Sequence, residues 1–221
     1  EIRQIAESQK MSSLTLRKHY VISNKGRQNV CIFQVTYTYT VHSRPPEDVV
    51  REVDALARGG VKEAVLIAQD TTDYGSDLGM KDGLPALLKA LEERTEVPWI
   101  RVLYGYPSRV TDELLEAMAS SSRVVPYLDL PLQHAHPDVL RSMKRGGGGE
   151  AFLSLLDKAR AAVPGLALRS TFIVGYPGET RAHFKELLDF VGAAQLDHVG
   201  VFPYSREEGT GAPPLGDPVD R

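Results

Sequence analysis

The sequence predicts an α/β fold, arranged as a β/α barrel or part-barrel rather than an open doubly wound sheet. From about residue 46, short apolar runs alternate with stretches of helical periodicity, the rhythm of parallel βα units. Polar residues gather just after each apolar run, as on the active rim of a barrel. The 221 residues are 42% hydrophobic and 25% charged, which is enough for one full-sized core.

A first helix is expected behind Ser43-Arg44-Pro45-Pro46, with proline in its first turn. Val49, Val50, Val53, Leu56 and Ala57 give its apolar stripe, and Gly59-Gly60 ends it. Ala64 to Ala68 reads as a strand buried on both faces. Leu84 to Glu96 then reads as a helix and Trp99 to Tyr104 as a strand, with Trp99 in the core. Thr111-Asp112-Glu113 opens the next helix with a cap and early acids. Val124 to Leu132 is a strand, Glu150 to Val163 a helix and Leu166 to Val174 a strand. Glu179-Thr180 opens a helix running to about Ala194, and Asp197 to Phe202 closes the series.

Residues 1–45 break the rhythm. Ser12 to Arg27 carries a weak helical signal, while Val30 to Val41 is β-branched and aromatic and could be a strand. Four consecutive glycines, Gly146 to Gly149, read as a flexible loop, and the Pro- and Gly-rich tail from Gly209 reads as a linker.

Composition also excludes functions. No run approaches the roughly 18 apolar residues of a membrane helix, and the start of the chain lacks a secretory h-region, so a cytoplasmic protein is expected. One cysteine excludes a disulfide framework and any site built from several thiolates of this chain. Net charge −3 gives no strong nucleic-acid signal. Residues 1–46 carry seven Lys/Arg against Glu1 and Glu7, whereas the rest carry 19 basic and 27 acidic side chains.

The strand ends hold the candidate chemistry. Gln69-Asp70-Thr71-Thr72-Asp73-Tyr74-Gly75 follows the first strand of the repeat, and Tyr104-Gly105-Tyr106-Pro107 the second. Gln133-His134-Ala135-His136 follows the third, where hydrogen-bonding groups in a pocket are favoured over a His134–His136 metal pair. Gly175-Tyr176-Pro177-Gly178-Glu179-Thr180 joins the fourth strand to a helix, a turn whose amides could hold a polar ligand. No hydrolytic triad or carboxylate pair stands out.

Five segments together resemble the radical S-adenosylmethionine (SAM) methylthiotransferases. They are Ser43 to Val49, Leu66 to Gly75, Tyr127 to His134, Phe172 to Thr180 and Val201 to Thr210, in the expected order. Gln69-Asp70-Thr71-Thr72 and Ser205-Arg206-Glu207-Glu208-Gly209-Thr210 are similar to the branch that modifies an aspartate of ribosomal protein S12, rather than the tRNA-modifying branch. The resemblance implies a partial (β/α)6 TIM-like barrel of the radical SAM type, with a [4Fe-4S] cluster and SAM as cofactors and S12 as the protein partner. It places Gly175 and Glu179 near the adenine and Gln69, Asp70 and Thr72 near the methionyl amino group. Arg169 and Gln133 are implied contacts to the methionyl carboxylate and ribose.

The family holds its cluster with Cys-x3-Cys-x2-Cys. Counted from Ile5-Ala6-Glu7-Ser8, those positions fall on Gln9, Ser13 and Leu16. Counted back from Ser43, Cys31 falls near the second position and Gln34 at the third, leaving Cys31 as the single candidate metal ligand. The expected organisation is therefore an aberrant segment 1–42, a core 43–208 and a linker 209–221 toward a C-terminal domain. A barrel that binds SAM or a protein without catalysis is the alternative function.

Overall fold

In the computed structural model, residues 42–205 are described in full, together with the backbone of residues 15–24 and 27–36. Cys31 is thus placed on a strand, while its side chain and residues 206–210 of the last family-like segment lie outside what is described. Strands β1 (Thr15–Asn24) and β2 (Arg27–Thr36) form an antiparallel hairpin in which Thr15 faces Thr36 and Asn24 faces Arg27. Over residues 15–24 the weak helical signal gives way to a strand: a segment with no apolar stripe gains little as a helix, whereas all ten residues pair with the β-branched stretch of β2.

From Pro46 onward, the alternating pattern becomes parallel ladders. The elements are α1 (Pro46–Arg58), β3 (Glu63–Leu66), α2 (Gly83–Arg94), β4 (Trp99–Val102), α3 (Asp112–Ser120), β5 (Tyr127–Asp129), α4 (Pro137–Ser142), α5 (Gly149–Ala162), β6 (Ala167–Val174), α6 (Arg181–Ala194) and β7 (His198–Pro203). Three short 3-10 turns lie at 71–73, 76–78 and 107–109. The short α4 was not expected from the sequence; Pro137 starts it and its six residues give too little periodicity to read.

Contacts divide the chain into two compact units, one of residues up to Tyr104 plus 120–125, the other of residues 105–119 and from Pro126 on. In the first unit β3 and β4 pair in parallel, and Val124 adds a parallel bridge to Ile100. Leu84, Leu88, Leu91 and Ile100 are almost wholly buried there. Trp99 is not core: it is 56% exposed, because strand alternation turns Ile100 and Val102 inward and Trp99 outward. In the second unit, β5, β6 and β7 pair in parallel in that order. Leu128, Leu168 and Phe172 are its most deeply buried apolar strand residues, and Phe172 and Phe152 both meet Phe190 edge-on. Each such burial contributes about 2–3 kcal/mol.

The glycine run is packed rather than loose. At Gly147, φ is +105° and a Cβ would stand 2.5 Å from the Phe152 ring; at Gly148 it would stand 3.0 Å from Pro137. These glycines let α4 and α5 approach closely.

Candidate functional site

The first-unit strand end is a self-contained knot. Asp70 Oδ1 accepts hydrogen bonds from the Thr72 amide (3.0 Å) and the Thr72 hydroxyl, so Asp70 caps the turn that follows. Buried Thr71 donates from its amide to Tyr104 O (2.9 Å) and from its hydroxyl to Leu103 O. Tyr74 Oη donates to Arg44 O (2.7 Å) and the Gly75 amide to Ser43 Oγ (2.9 Å). Of the predicted residues here, Asp70 and Thr72 serve each other, while Gln69 is exposed.

The second unit is built differently. In the β5–β6 register Asp129 stands opposite Arg169. The Asp129 side chain is wholly buried and Arg169 Nη1 lies 3.2 Å from its carboxylate. Beyond β5, Ser170 Oγ donates to Leu130 O (2.8 Å) and accepts from Leu132 N (3.3 Å), holding the chain against β6. Gln133 then takes φ +72°, while His134 N donates to Leu132 O (2.9 Å). This is a γ-turn in the left-handed region, unusual for a residue with a Cβ and a mark of stored strain. Bonds from Gln133 N to Thr171 O and from Ile173 N to Gln133 O, both 2.8 Å, hold it in place.

The turn buries His134 completely. Its Nδ1 accepts the His136 amide (2.9 Å), so in the neutral ring the proton sits on Nε2. That Nε2–H has no partner and faces Glu179 Oε1 at 4.0 Å. Burial above all, with the neighbouring His136 and His183 charges, pushes the His134 pKa down from 6.5 to about 4.

Glu179 stands just before α6 rather than opening it. Its Oε2 accepts the amides of Gly175 (2.7 Å) and Tyr176 (3.2 Å), closing the turn after β6. Gly175 (φ +73°) and Gly178 (φ +86°) take up the left-handed positions of that turn. Thr180 caps α6 in a reciprocal box with His183. Tyr176, also buried, donates to Ser142 O (3.2 Å) and meets Tyr204 edge-on at 5.2 Å. Among the described residues the Tyr204 hydroxyl is buried without a partner.

Two unpaired polar atoms, His134 Nε2 and Tyr204 Oη, therefore flank one glycine turn. Unmade buried hydrogen bonds are costly, and this pair lies behind the turn rather than on its surface. The structure brings Gln133, Arg169, Gly175 and Glu179 into the same compact unit. Sequence reasoning missed Tyr176 and Tyr204; the aromatic residue after each strand end was their one signal.

A metal pair of His134 and His136 does not form, because His134 Nδ1 is taken by the His136 amide. His136, Asp138 and His183 do place ligand-type atoms within 4.8 Å of one another. Both imidazoles, however, accept backbone amides at Nδ1, from Asp138 and Thr180, which leaves Nε2 protonated. They are helix caps, not ligands.

Comparison with known proteins agrees with the resemblance. A family model described as the radical SAM superfamily matches residues 29–191, a span that includes Cys31. Curated relatives named ribosomal protein uS12 methylthiotransferase RimO are 50% identical in Koribacter versatilis (80% of this chain, 35% of that protein) and 44% in Desulfotalea psychrophila (100% and 50%). In Chloroflexus aurantiacus the identity is 51% (81% and 40%). The chain thus spans between about a third and a half of the length of these relatives. Two solved structures share the fold. Streptococcus suis SuiB bound to S-adenosylmethionine has a TM-score of 0.52 and 19% identity, over 76% of this chain and 36% of that one. Escherichia coli coproporphyrinogen III oxidase HemN, a radical SAM enzyme, has 0.51 and 17%, over 75% and 39%.

Proposed function

The chain belongs to the radical SAM superfamily, and from that premise we propose that it is the core of a methylthiotransferase acting on ribosomal protein uS12. The observation that carries this reading is the 44–51% identity to relatives named for that reaction, over most of the chain. Relatives named for uS12 favour that branch over the tRNA-modifying one. Among the described residues no helix is long and apolar enough to cross a membrane, and a cytoplasmic site of action fits a ribosomal substrate.

SAM suits the second unit. Gln133, Arg169 and Gly175 are its part-exposed residues at the strand ends, with His134 and the Tyr204 hydroxyl buried behind them. Gly175 gives close backbone approach at the turn that Glu179 fastens. Gln133 and Arg169 are proposed for the ribose and the methionyl carboxylate. When bound, SAM supplies the methyl group and the adenosyl carbon of the family's chemistry. The protein's part is to hold it against the strand ends and keep water from the buried His134 side.

The cluster does not fit the residues present. Such clusters are held by thiolates, and the chain has one cysteine, Cys31, on β2. No radical step is therefore assigned to this chain, and cluster chemistry on it requires thiolates from outside these 221 residues. Anaerobic iron–sulfide reconstitution with an iron count, alongside SAM binding by calorimetry, tests the reading. SAM binding with stable uptake of about four irons supports the enzymatic core. SAM binding with no iron and no cleavage after reduction leaves a binding barrel, and absence of both removes the proposal.

A further inference from the structure

One buried ring stands between the two strand-end turns of the second unit. His134 directly follows the strained Gln133, and its wholly buried imidazole reaches toward the turn that closes β6. Its two nitrogens face different elements. Nδ1 accepts the His136 amide (2.9 Å) just before α4. Nε2 lies 4.0 Å from Glu179 Oε1 and has no hydrogen-bond partner among the described residues. Burial above all, with His136 and His183 nearby, pushes the His134 pKa down to about 4, so the ring is neutral near neutral pH. With Nδ1 accepting, Nε2 carries the proton.

Glu179 is the other half of the contact. Its Oε2 accepts the Gly175 and Tyr176 amides (2.7 and 3.2 Å), and its side chain is 5% exposed. Water therefore competes little for this carboxylate, and the Nε2–H dipole acts on it in a medium of low dielectric. The separation is about 1 Å beyond a hydrogen bond, a gap that a small rotation of either side chain closes. The backbone before the ring is fixed, since Gln133 N donates to Thr171 O and Ile173 N to Gln133 O, both at 2.8 Å. A buried donor without a bond is costly. An apolar side chain would fill the same space without that penalty, and an acceptor alone would serve the His136 amide. The donor toward Glu179 is what histidine adds.

We propose that His134 is a positioning residue for SAM: its Nε2–H, acting through Glu179, sets the Gly175–Tyr176 turn relative to Gln133. Gln133 and Gly175 carry proposed contacts on the two turns, so a ligand that spans them gains from finding both preset. The inference rests on SAM binding at these strand ends, and it adds a residue that works from behind the site.

Two substitutions separate the halves of the ring. His134→Asn keeps an acceptor near Nδ1 and loses the donor toward Glu179, whereas His134→Gln keeps a donor near Nε2 and loses the acceptor. SAM affinity of the full chain, measured by calorimetry, is expected to fall about tenfold in His134→Asn and to stay within about twofold in His134→Gln. Without ligand, NMR exchange of the Gly175 and Tyr176 amides is expected to quicken about tenfold in His134→Asn alone. If the ring only fills space or holds the His136 amide, the two variants behave alike or their order reverses, and the proposal falls. Proton–nitrogen NMR spectra of the unaltered chain are expected to place the ring proton on Nε2. A proton on Nδ1 overturns the proposal whether or not the variants fold. The exchange measurement separates this inference from the SAM reading. If the unaltered chain binds SAM and His134→Asn changes neither affinity nor exchange, the positioning role is wrong and the SAM reading stands. If exchange responds to His134→Asn alone but the unaltered chain binds no SAM, His134 does hold the turn and the SAM reading is wrong.

Discussion

The Gln69–Gly75 turn and the Gln133–Glu179–Tyr204 group are both polar strand ends, yet the first is tied by side-chain bonds and the second turns on a left-handed Gln133. In the first, Asp70 holds Thr72, Thr71 holds β4, and Tyr74 and Gly75 hold Arg44 and Ser43. In the second, His134 and Tyr204 bury polar atoms with no partner, beside a γ-turn held in a strained conformation. Side-chain bonds buy rigidity, whereas a strained turn stores energy that a ligand contact can draw on. The contrast separates a turn held by its own side chains from one held in a strained backbone, which polarity alone does not.

The largest test falls on Arg169. Removing it by Arg169→Ala leaves the wholly buried Asp129 carboxylate without its guanidinium, and is expected to cost about 3–5 kcal/mol in urea unfolding. A variant of unchanged stability that loses SAM would show that Arg169 serves the ligand and that Asp129 does not depend on it.

Acid comes next. The folded His134 pKa lies below its usual value, so the unfolded chain takes up a proton first. The stability that neutral His134 contributes is intact above 6.5 and is lost as pH falls toward about 4. That loss is expected to approach 3 kcal/mol, and His134→Gln should remove this part of the pH dependence. An unchanged pH profile in the variant would show that His134 is not held neutral by burial.

At the start of α2, against the first-unit turn, Gly83→Ala is expected to cost about 2 kcal/mol, because its Cβ would stand 2.1 Å from Tyr74 O. A melting point unchanged from the parent chain would show the knot to be looser than its bonds suggest. The smallest effect belongs to Tyr204→Phe, which deletes only an unpaired hydroxyl. Stability should stay within about 1 kcal/mol or rise, while SAM affinity measured by calorimetry falls several-fold. Equal affinity would return Tyr204 to the aromatic core.

The βα rhythm was legible because buried parallel strands and amphipathic helices write their periods into the chain: Ala64 to Leu66 and Val49 to Ala57 could be read without coordinates. Trp99 could not, since only the register of β4 decides which alternate residue faces out. Glu179 was legible as part of a motif, but its bonds to Gly175 and Tyr176 depend on the turn closing behind it. The glycine run looked floppy because sequence does not show Phe152 and Pro137 filling the space beside it.

By itself the sequence determined the α/β class, the family-like order of segments and the single cysteine that a [4Fe-4S] cluster cannot be built on. These follow from local period and composition, which need no third dimension. Tertiary structure alone decided that Asp129 and Arg169 pair and that His134 faces Glu179. It alone set Arg145 over Tyr106 beside an apolar cavity. Partners at separations of 40, 45 and 39 residues meet only when β5, β6 and the α4–α5 corner pack together, and that packing leaves two polar atoms without partners.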